Sequence, residues 1–327
     1  MIKKCSGCGY PLQSENKEKL GYQPKLENKT LCERCFKIIH YNDAKIVTLD
    51  IDQNAILKIV NKSKAHALFL IDFLNINSTT IETFQNIKIG KTLLISKCDV
   101  IPFSMNLNKI KSWLKEYYHI NDEIIFISCK KNKNINYLIN YLTKHNYNNV
   151  YLLGFTNAGK SSLLNTILKT KELNFEITTS IVPNTTLDFM NIKIDDNLTI
   201  IDSPGFTLKD AIFESDDINI IKRINPKKFL KPVTYQMKDK QAIKVLDNLI
   251  IENLSQKNSF TFYMSNNLEL KKVFKIGDQD LQEKVIEVDN NCDLVIKGLG
   301  FINIKQKGQV KVYINNKDLI EVRKSLF

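Results

Sequence analysis

Short apolar runs that each end in a polar or glycine-containing loop recur through the middle of the chain. Runs of this length, bounded by turn-forming residues, are typical of buried strands. Two stretches near them, residues 107–118 and 162–168, are predicted as helices. This alternation of strands and helices predicts an α/β domain with a mostly parallel sheet. The apolar runs are residues 92–95, 123–127, 150–153 and 198–201.

The last part of the chain has a different pattern, in which short runs alternate between apolar and polar residues. Such alternation is typical of half-buried strands, and Gly298, Gly300 and Gly308 separate the runs as turns. Since no combination of catalytic residue types occurs here, we predict a β-rich binding domain. The runs are residues 260–263, 294–296, 301–304 and 310–314.

The composition is that of a folded protein with a strong positive charge. Of the 327 residues, 43% are hydrophobic and 25% are charged, which is typical of two or three globular domains. The net charge of +12 favours phosphate-rich partners, although general enrichment in lysine explains it equally well. Residues 222–244 hold eight Lys or Arg and one acid, Asp239, and form either a phosphate-backbone contact or a solvated surface.

The sequence indicates where the protein is found. No apolar run approaches the roughly 18 residues that span a bilayer, and the first residues lack the apolar core of a secretory signal. We therefore expect a cytoplasmic protein without a membrane partner, and we expect it to be a monomer. In that reducing compartment the seven cysteines are expected to be metal ligands or buried thiols.

Two CxxC pairs lie near the N-terminus. Each pair can place two thiolates on one tetrahedral ion, for which Zn²⁺ is the natural occupant. A closed four-thiolate site has no open coordination position, so we assign it a structural role. The alternative is that these are redox-active or unrelated cysteines. The predicted zinc ligands are Cys5, Cys8, Cys32 and Cys35.

A GxxxxGKS motif directly follows the run at residues 150–153. A strand before the motif and a helix after it are the context of a phosphate-binding P-loop, because the phosphates then meet N–H groups at a helix N-terminus. Lys160 would reach the β- and γ-phosphates, and the Ser161 hydroxyl would bind Mg²⁺. The predicted nucleotide-binding residues are Gly154, Asn157, Ala158, Gly159, Lys160, Ser161 and Ser162.

A DxxG motif follows the run at residues 198–201. Asp202 can hold the Mg²⁺ shell, and the Gly205 amide can sense the γ-phosphate. Between the two motifs, a threonine hydroxyl could complete the Mg²⁺ shell when the triphosphate is bound, and we favour Thr186 over Thr185. We predict Lys160, Thr186 and Gly205 as the residues that act in hydrolysis.

Two loops suited to guanine recognition precede the P-loop. Guanine selectivity requires a carboxylate that accepts hydrogen bonds from N1–H and from the 2-amino group, which adenine cannot supply. Ser96, Lys97 and Asp99 match the [NT]KxD loop that carries this carboxylate. A second loop, Ser128, Cys129 and Lys130, resembles the SAK loop that backs the base. The motif order is therefore base loop, second base loop, P-loop, threonine switch and DxxG.

With this order, the sequence resembles the circularly permuted GTPases and, among them, the YqeH family of bacterial ribosome-assembly factors. The likeness includes both CxxC pairs with Gly9 and residues 18–22, then residues 40–42, and extends to the KGLGF segment at residues 297–301. Two departures are Ser96, where Asn or Thr is usual, and Asn184, where the family usually has Gly. The resemblance implies a GTPase for small ribosomal subunit biogenesis, with the subunit precursor and its rRNA as partners.

The resemblance also implies three domains and a set of cofactors. We expect a zinc-binding module over residues 1–45, a circularly permuted P-loop GTPase domain over residues 46–212 and an RNA- or ribosome-binding domain over residues 213–327. The expected cofactors are GTP or GDP, Mg²⁺ and Zn²⁺, with K⁺ as a candidate. Asn157 matches the asparagine that helps to bind K⁺ in related GTPases.

Two alternatives to this enzyme remain open. Phe206 follows DxxG where Ras-type enzymes have a glutamine, and its side chain cannot orient the attacking water. We therefore expect slow turnover that K⁺ raises, and the first alternative is a nucleotide-gated RNA-binding scaffold that hydrolyses little GTP. The second alternative, an ATPase, is disfavoured by Asp99.

Overall fold

The computed structural model describes residues 3, 5, 11–15, 21–26, 32–33, 53–171, 177–181, 188–208, 211, 218–274, 276–277 and 280–326. The chain divides into two compact units that interleave along the sequence. The first unit comprises Met1–Asp72, Glu82–Lys97 and Asp122–Thr207, and the second comprises Phe73–Ile81, Cys98–Asn121 and Leu208–Phe327. The three-domain division at residues 45 and 212 stays a prediction.

The first unit is built on a seven-stranded sheet with the order β3-β2-β1-β4-β7-β6-β5. The five strands from β3 to β7 in that order are mutually parallel, whereas β6 and β5 are antiparallel additions. The sheet confirms the mostly parallel α/β domain. The strands are β1 (His66–Asp72), β2 (Lys91–Ser96), β3 (Glu123–Phe126), β4 (Asn149–Gly154), β5 (Ile177–Ile181), β6 (Asp188–Asp195) and β7 (Leu198–Asp202).

Amphipathic helices connect these strands because their apolar residues recur every three or four positions. In the helix between β3 and β4, Ile135, Leu138, Ile139 and Leu142 are all buried, and they share one core with the sheet. The helices with residues in the first unit are α1 (Gln53–Asn61), α2 (Ser78–Gln85), α4 (Ile135–Lys144) and α5 (Lys160–Thr170).

The second unit contains two antiparallel five-stranded sheets, with the orders β12-β9-β10-β16-β13 and β17-β14-β15-β11-β8. It also contains the helices α3 (Leu107–Tyr117) and α6 (Ile218–Ile224). The predicted β-rich character of the C-terminal part is confirmed. The strands are β8 (Val233–Met237), β9 (Ala242–Leu246), β10 (Leu249–Asn253), β11 (Asn258–Tyr263), β12 (Lys271–Val273), β13 (Gln282–Val288), β14 (Cys292–Ile296), β15 (Gly300–Ile304), β16 (Gly308–Ile314) and β17 (Ile320–Lys324).

A buried ion pair closes one edge of the second unit. The Arg323 guanidinium lies 3.3 Å from Asp293 Oδ2, and both side chains are almost completely buried. The same guanidinium donates to the Ile76 carbonyl oxygen and lies over the Trp113 ring. These contacts fix the segments 73–81 and 98–121 to β14 and β17, which explains why they belong to this unit.

No helix among the described residues is long and apolar enough to cross a membrane.

His66, at the start of β1, is buried, with no ion pair among the described residues. Its ring stacks on Tyr147 with the ring centroids 3.8 Å apart, and its Nε2 atom lies 2.9 Å from Thr92 Oγ1. Burial, with a smaller contribution from His145, lowers the pKa of His66 from 6.5 to about 4. Between these values the unfolded chain binds a proton that the folded chain does not, so the free energy of unfolding falls as the pH falls.

We predict that this histidine makes the first unit acid-sensitive. Between pH 7 and pH 4, His66 should lower the free energy of unfolding by about 3 kcal/mol. His66→Gln removes the titrating ring, so the free energy of unfolding of this variant should change less between pH 7 and pH 4, by that amount. The variant also loses the ring stacking, which lowers its stability at pH 7. Urea unfolding at both pH values checks this, with the exposed His119→Gln as the control. Equal pH dependence in wild type and His66→Gln would contradict it.

Candidate nucleotide site

The loops with the predicted chemistry follow the carboxyl ends of neighbouring parallel strands in the first unit. β2 ends at Ser96, β4 at Gly154 and β7 at Asp202, and β1 lies between β2 and β4. Carboxyl ends of parallel strands share one edge of a sheet, which is where open α/β sheets bind ligands. The topology therefore brings Ser96 and Lys97 of the base loop, the P-loop and the DxxG loop to one edge of this sheet.

The P-loop adopts a backbone that its glycines make possible. Gly154 and Gly159 have φ angles of 149° and 100°, which residues with a Cβ atom rarely adopt. A Cβ atom on Gly154 would also lie 2.6 Å from the Leu70 carbonyl oxygen. Gly159 immediately precedes α5, so the loop leads directly into a helix N-terminus, which is where backbone N–H groups can bind an anion.

The side chain of Lys160 is buried in this loop. Its side chain is 8% exposed, and Nζ donates to the Gly154 carbonyl oxygen at 2.9 Å. Burial lowers the pKa of Lys160, and the Asp202 carboxylate partly opposes this by raising it. An anion bound in the loop would favour the charged ammonium, so this lysine is suited to a phosphate.

The DxxG segment is joined to the P-loop through the backbone. The Phe206 N–H donates to the Gly154 carbonyl oxygen at 3.1 Å, and the Thr156 N–H donates to the Phe206 carbonyl oxygen at 2.8 Å. The Phe206 side chain is fully buried against Phe69 and Phe155. Gly205 is therefore held beside the P-loop, while the residue after it contributes only its backbone.

We predict that Gly205 cannot carry a side chain without loss of function. A Cβ atom there would lie 3.1 Å from Lys160 Nζ and 3.3 Å from Thr156 Cγ2, so Gly205→Ala would displace the ammonium. A misplacement of this kind should lower kcat for GTP by roughly 10- to 100-fold. Steady-state hydrolysis checks this against Gly277→Ala, where a Cβ atom meets nothing within 4 Å. Equal kcat values for the two variants would contradict the prediction.

The base loop is fixed to the P-loop and to β1. Ser96 is buried, and its hydroxyl donates to the Ala158 carbonyl oxygen at 2.6 Å. Lys97 has a φ angle of 54°, and its Nζ lies 2.5 Å from Asp72 Oδ2. Sequence reasoning missed Asp72 as a site residue, although an acid at the end of an apolar strand was a visible signal.

The second base loop borders a cavity of about 540 Å³. Ser128 is fully buried, and its hydroxyl accepts from the Lys131 N–H at 3.1 Å, which closes the loop. Cys129, Lys130 and Ser162, all predicted as nucleotide-binding residues, line this cavity together. The sequence did not single out its other lining residues, although the spacing of three of them on one face of α5 was a signal. They are Asn132, Thr166, Lys169 and Thr170.

Asp99 lies in a short 3-10 helix, Cys98–Val100, which belongs to the second unit. Cys98 and Val100 are 6% and 2% exposed, whereas Asp99 between them is only half-buried. The buried neighbours fix the backbone on both sides of this carboxylate.

Comparisons with known proteins decide the family. The model of the RsgA GTPase family matches residues 31–211, which is more than half of the chain. The chain belongs to the RsgA GTPase family. A second model, described as 50S ribosome-binding GTPase, matches residues 149–288. The predicted resemblance to the circularly permuted GTPases and to YqeH is thereby confirmed, and membership implies GTP or GDP and Mg²⁺ as ligands.

The chain is also similar to individual proteins. YqeH of Bacillus subtilis is 28% identical over 98% of both chains. The tRNA modification GTPase MnmE of Prochlorococcus marinus is 25% identical over 68% of this chain, which spans only 44% of MnmE. YjeQ from Thermotoga maritima, whose crystal structure was compared with this chain, has 22% sequence identity and a TM-score of 0.31. The match covers 44% of this chain and 49% of YjeQ.

The structure describes only some of the residues predicted to bind metal ions. Cys5 and Cys32, one from each CxxC pair, are buried together, and the Cys32 N–H donates to Cys5 Sγ at 3.1 Å. This juxtaposition fits a shared zinc site, but Cys8 and Cys35 lie outside the described residues, as does Thr186. Within the described residues no group of three or more His, Cys, Asp or Glu could hold a metal ion. The zinc site stays a prediction.

Proposed function

We propose that this member of the RsgA GTPase family binds one guanine nucleotide through motifs in permuted order and hydrolyses GTP as a switch in small ribosomal subunit assembly. Asp99 reads guanine, Ser96 and Lys97 shape its loop, and Ser128, Cys129 and Lys130 back the base. The P-loop from Gly154 to Ser162 then holds the phosphates. The observation that carries this proposal is the buried Lys160 ammonium, held at 2.9 Å from Gly154 at a helix N-terminus beside Gly205.

The residues act mainly by positioning and by electrostatic stabilisation. The Lys160 ammonium offsets charge that develops on the β- and γ-phosphates during transfer. Ser161, Asp202 and Thr186 would hold Mg²⁺, which neutralises phosphate charge when bound. The Gly205 amide donates to the γ-phosphate, so the DxxG segment distinguishes GTP from GDP.

A bound cation would assist hydrolysis in place of the glutamine that follows DxxG in Ras-type enzymes. Phe206 is fully buried and offers only its backbone, whereas Asn157 is exposed in a left-handed conformation at the top of the P-loop. We predict that turnover is slow and is several-fold faster in KCl than in NaCl, and that Asn157→Ala loses this difference. Equal rates of the wild type in the two salts would contradict a role for K⁺.

The ribosomal partner is tested by sedimentation. Lysine-rich residues 222–244 and the net charge of +12 support a contact with rRNA. The full chain should sediment with small-subunit particles when a non-hydrolysable GTP analogue is bound, and should do so less with GDP. Association with neither subunit, or only with the large subunit, would contradict this part of the proposal.

An RNA-binding scaffold with little hydrolysis is the second candidate, and the buried Phe206 side chain favours it. Turnover measured with and without small subunits separates the two functions. If the rate of GTP hydrolysis stays near the rate without the protein, even with bound small subunits and K⁺, the scaffold is supported.

A further inference from the structure

Leu230, from the C-terminal part of the chain, bonds to the backbone that follows Asp99. The Leu230 N–H donates to the Val100 carbonyl oxygen at 2.7 Å, and the Leu230 and Val100 side chains are both 2% exposed. Val100 directly follows Asp99 in the chain. The Leu230 contact therefore fixes the peptide unit between Val100 and Ile101, one residue beyond the proposed guanine-reading residue.

A single amide side chain fixes Leu230 in turn. Asn266 Nδ2 donates to the Phe229 carbonyl oxygen at 2.9 Å, and Asn266 Oδ1 accepts from the Lys231 N–H at 2.9 Å. The residues on both sides of Leu230 are thus held by one side chain from the loop between β11 and β12. Each bond joins groups that are far apart in the sequence, so nothing local replaces them.

An aromatic contact supports the same segment. The rings of Phe103 and Phe229 meet edge to face with centroids 4.5 Å apart, and Phe103 is 85% exposed. Phe103 follows Asp99 by four residues. Leu230, Asn266 and Phe229 together hold the start of the segment Cys98–Asn121 at two points beyond the base loop.

We propose that residues 229–231, clamped by Asn266, position Asp99 for guanine recognition. The inference rests on the proposed function, in which the Asp99 carboxylate accepts from the guanine N1–H and 2-amino groups. Two hydrogen bonds from one planar base require the carboxylate to stay within about 0.5 Å of its place. Asn266 and Phe229 are positioning residues: Asn266 acts through Leu230 on the Val100 carbonyl group, and Phe229 acts through the Phe103 ring.

The test compares GDP with inosine diphosphate, which lacks only the 2-amino group. In the wild type, the Kd for inosine diphosphate should exceed the Kd for GDP by about 10-fold or more, the value of a hydrogen bond to a charged group. Asn266→Ala should reduce this ratio at least threefold. If Asn266→Ala only reduced the fraction of folded protein, the apparent Kd values for both nucleotides would change equally and the ratio would stay the same.

Three further variants complete the test. Asn290→Ala is the matched control, because Asn290 Oδ1 accepts from the Lys307 N–H at 2.8 Å in the same unit and makes no hydrogen bond to residues 229–231 within the described part of the chain. Phe103→Ala provides an independent variant of the positioning contact, with the 84% exposed Phe274→Ala as its control. Phe103→Ala should also reduce the ratio, and the two controls should not.

Asp99→Asn distinguishes an error in the positioning role from an error in the assignment of Asp99 to the base. If it removes the preference for GDP while Asn266→Ala and Phe103→Ala retain the full ratio, the positioning role is wrong and the base assignment stands. If Asp99→Asn itself retains the ratio, the proposed function is wrong at the base site. A reduced ratio in all three variants, with unchanged controls, supports the proposal.

Discussion

Replacing Lys160 with methionine should abolish most GTP hydrolysis without unfolding the protein. The Lys160 side chain is buried, its Nζ atom is bonded to the Gly154 carbonyl oxygen, and burial lowers its pKa, so a charge there comes at a cost to the folded protein. Methionine fills a similar volume without that cost, so the unfolding midpoint should not fall. The transition state, however, loses the cation nearest the transferred phosphoryl group, and kcat/KM should fall about 100- to 1000-fold.

Single-turnover hydrolysis of GTP measures this loss. Lys171→Ala is a suitable control, since Lys171 follows the same helix but pairs at the surface with Asp195 at 3.7 Å. This control should hydrolyse GTP at close to the wild-type rate. Hydrolysis by Lys160→Met within threefold of the wild type would show that the phosphates bind elsewhere.

Replacing Asp99 with asparagine should change which purine the protein accepts. A carboxylate accepts from the N1–H and 2-amino groups of guanine, whereas the amide N–H of asparagine faces the 2-amino group donor to donor. Affinity for GDP should fall about 100-fold or more, because the base is left with an unpaired buried donor. Xanthine has a carbonyl oxygen in place of the 2-amino group, so xanthosine diphosphate should bind the variant better than GDP does.

Competition binding with the two diphosphates measures this change. Asp239→Asn, at an exposed acid in the second unit, should leave the preference for GDP unchanged. If Asp99→Asn still binds GDP better than xanthosine diphosphate, another residue reads the base.

The parallel strands and the P-loop could be predicted because their signals are local. A buried parallel strand is apolar throughout, so the runs that became β2, β3, β4 and β7 were visible without any knowledge of their neighbours. The phosphate loop needs glycine at fixed positions, and Gly154 and Gly159 have the positive φ angles that this requires. The predicted chemistry of Lys160 followed from this backbone.

Contacts between distant segments could not be predicted. The pairing of Lys97 with Asp72 depends on the register of β1 against β2, in which Asp72 lies opposite Ser96. The bonds from Leu230 to Val100 and from Asn266 to residues 229 and 231 join polar groups with no sequence pattern. The grouping of residues 98–121 with the C-terminal sheets likewise arises from tertiary packing.

The proposed function requires one nucleotide that the protein binds at both of its ends. A crystal structure with GDP and Mg²⁺ tests this most directly. We predict a β-phosphate oxygen within hydrogen-bonding distance of Lys160 Nζ and the guanine N1 and 2-amino groups against the Asp99 carboxylate. A GDP molecule whose phosphates lie at Lys160 while its base makes no contact with Asp99 would contradict it.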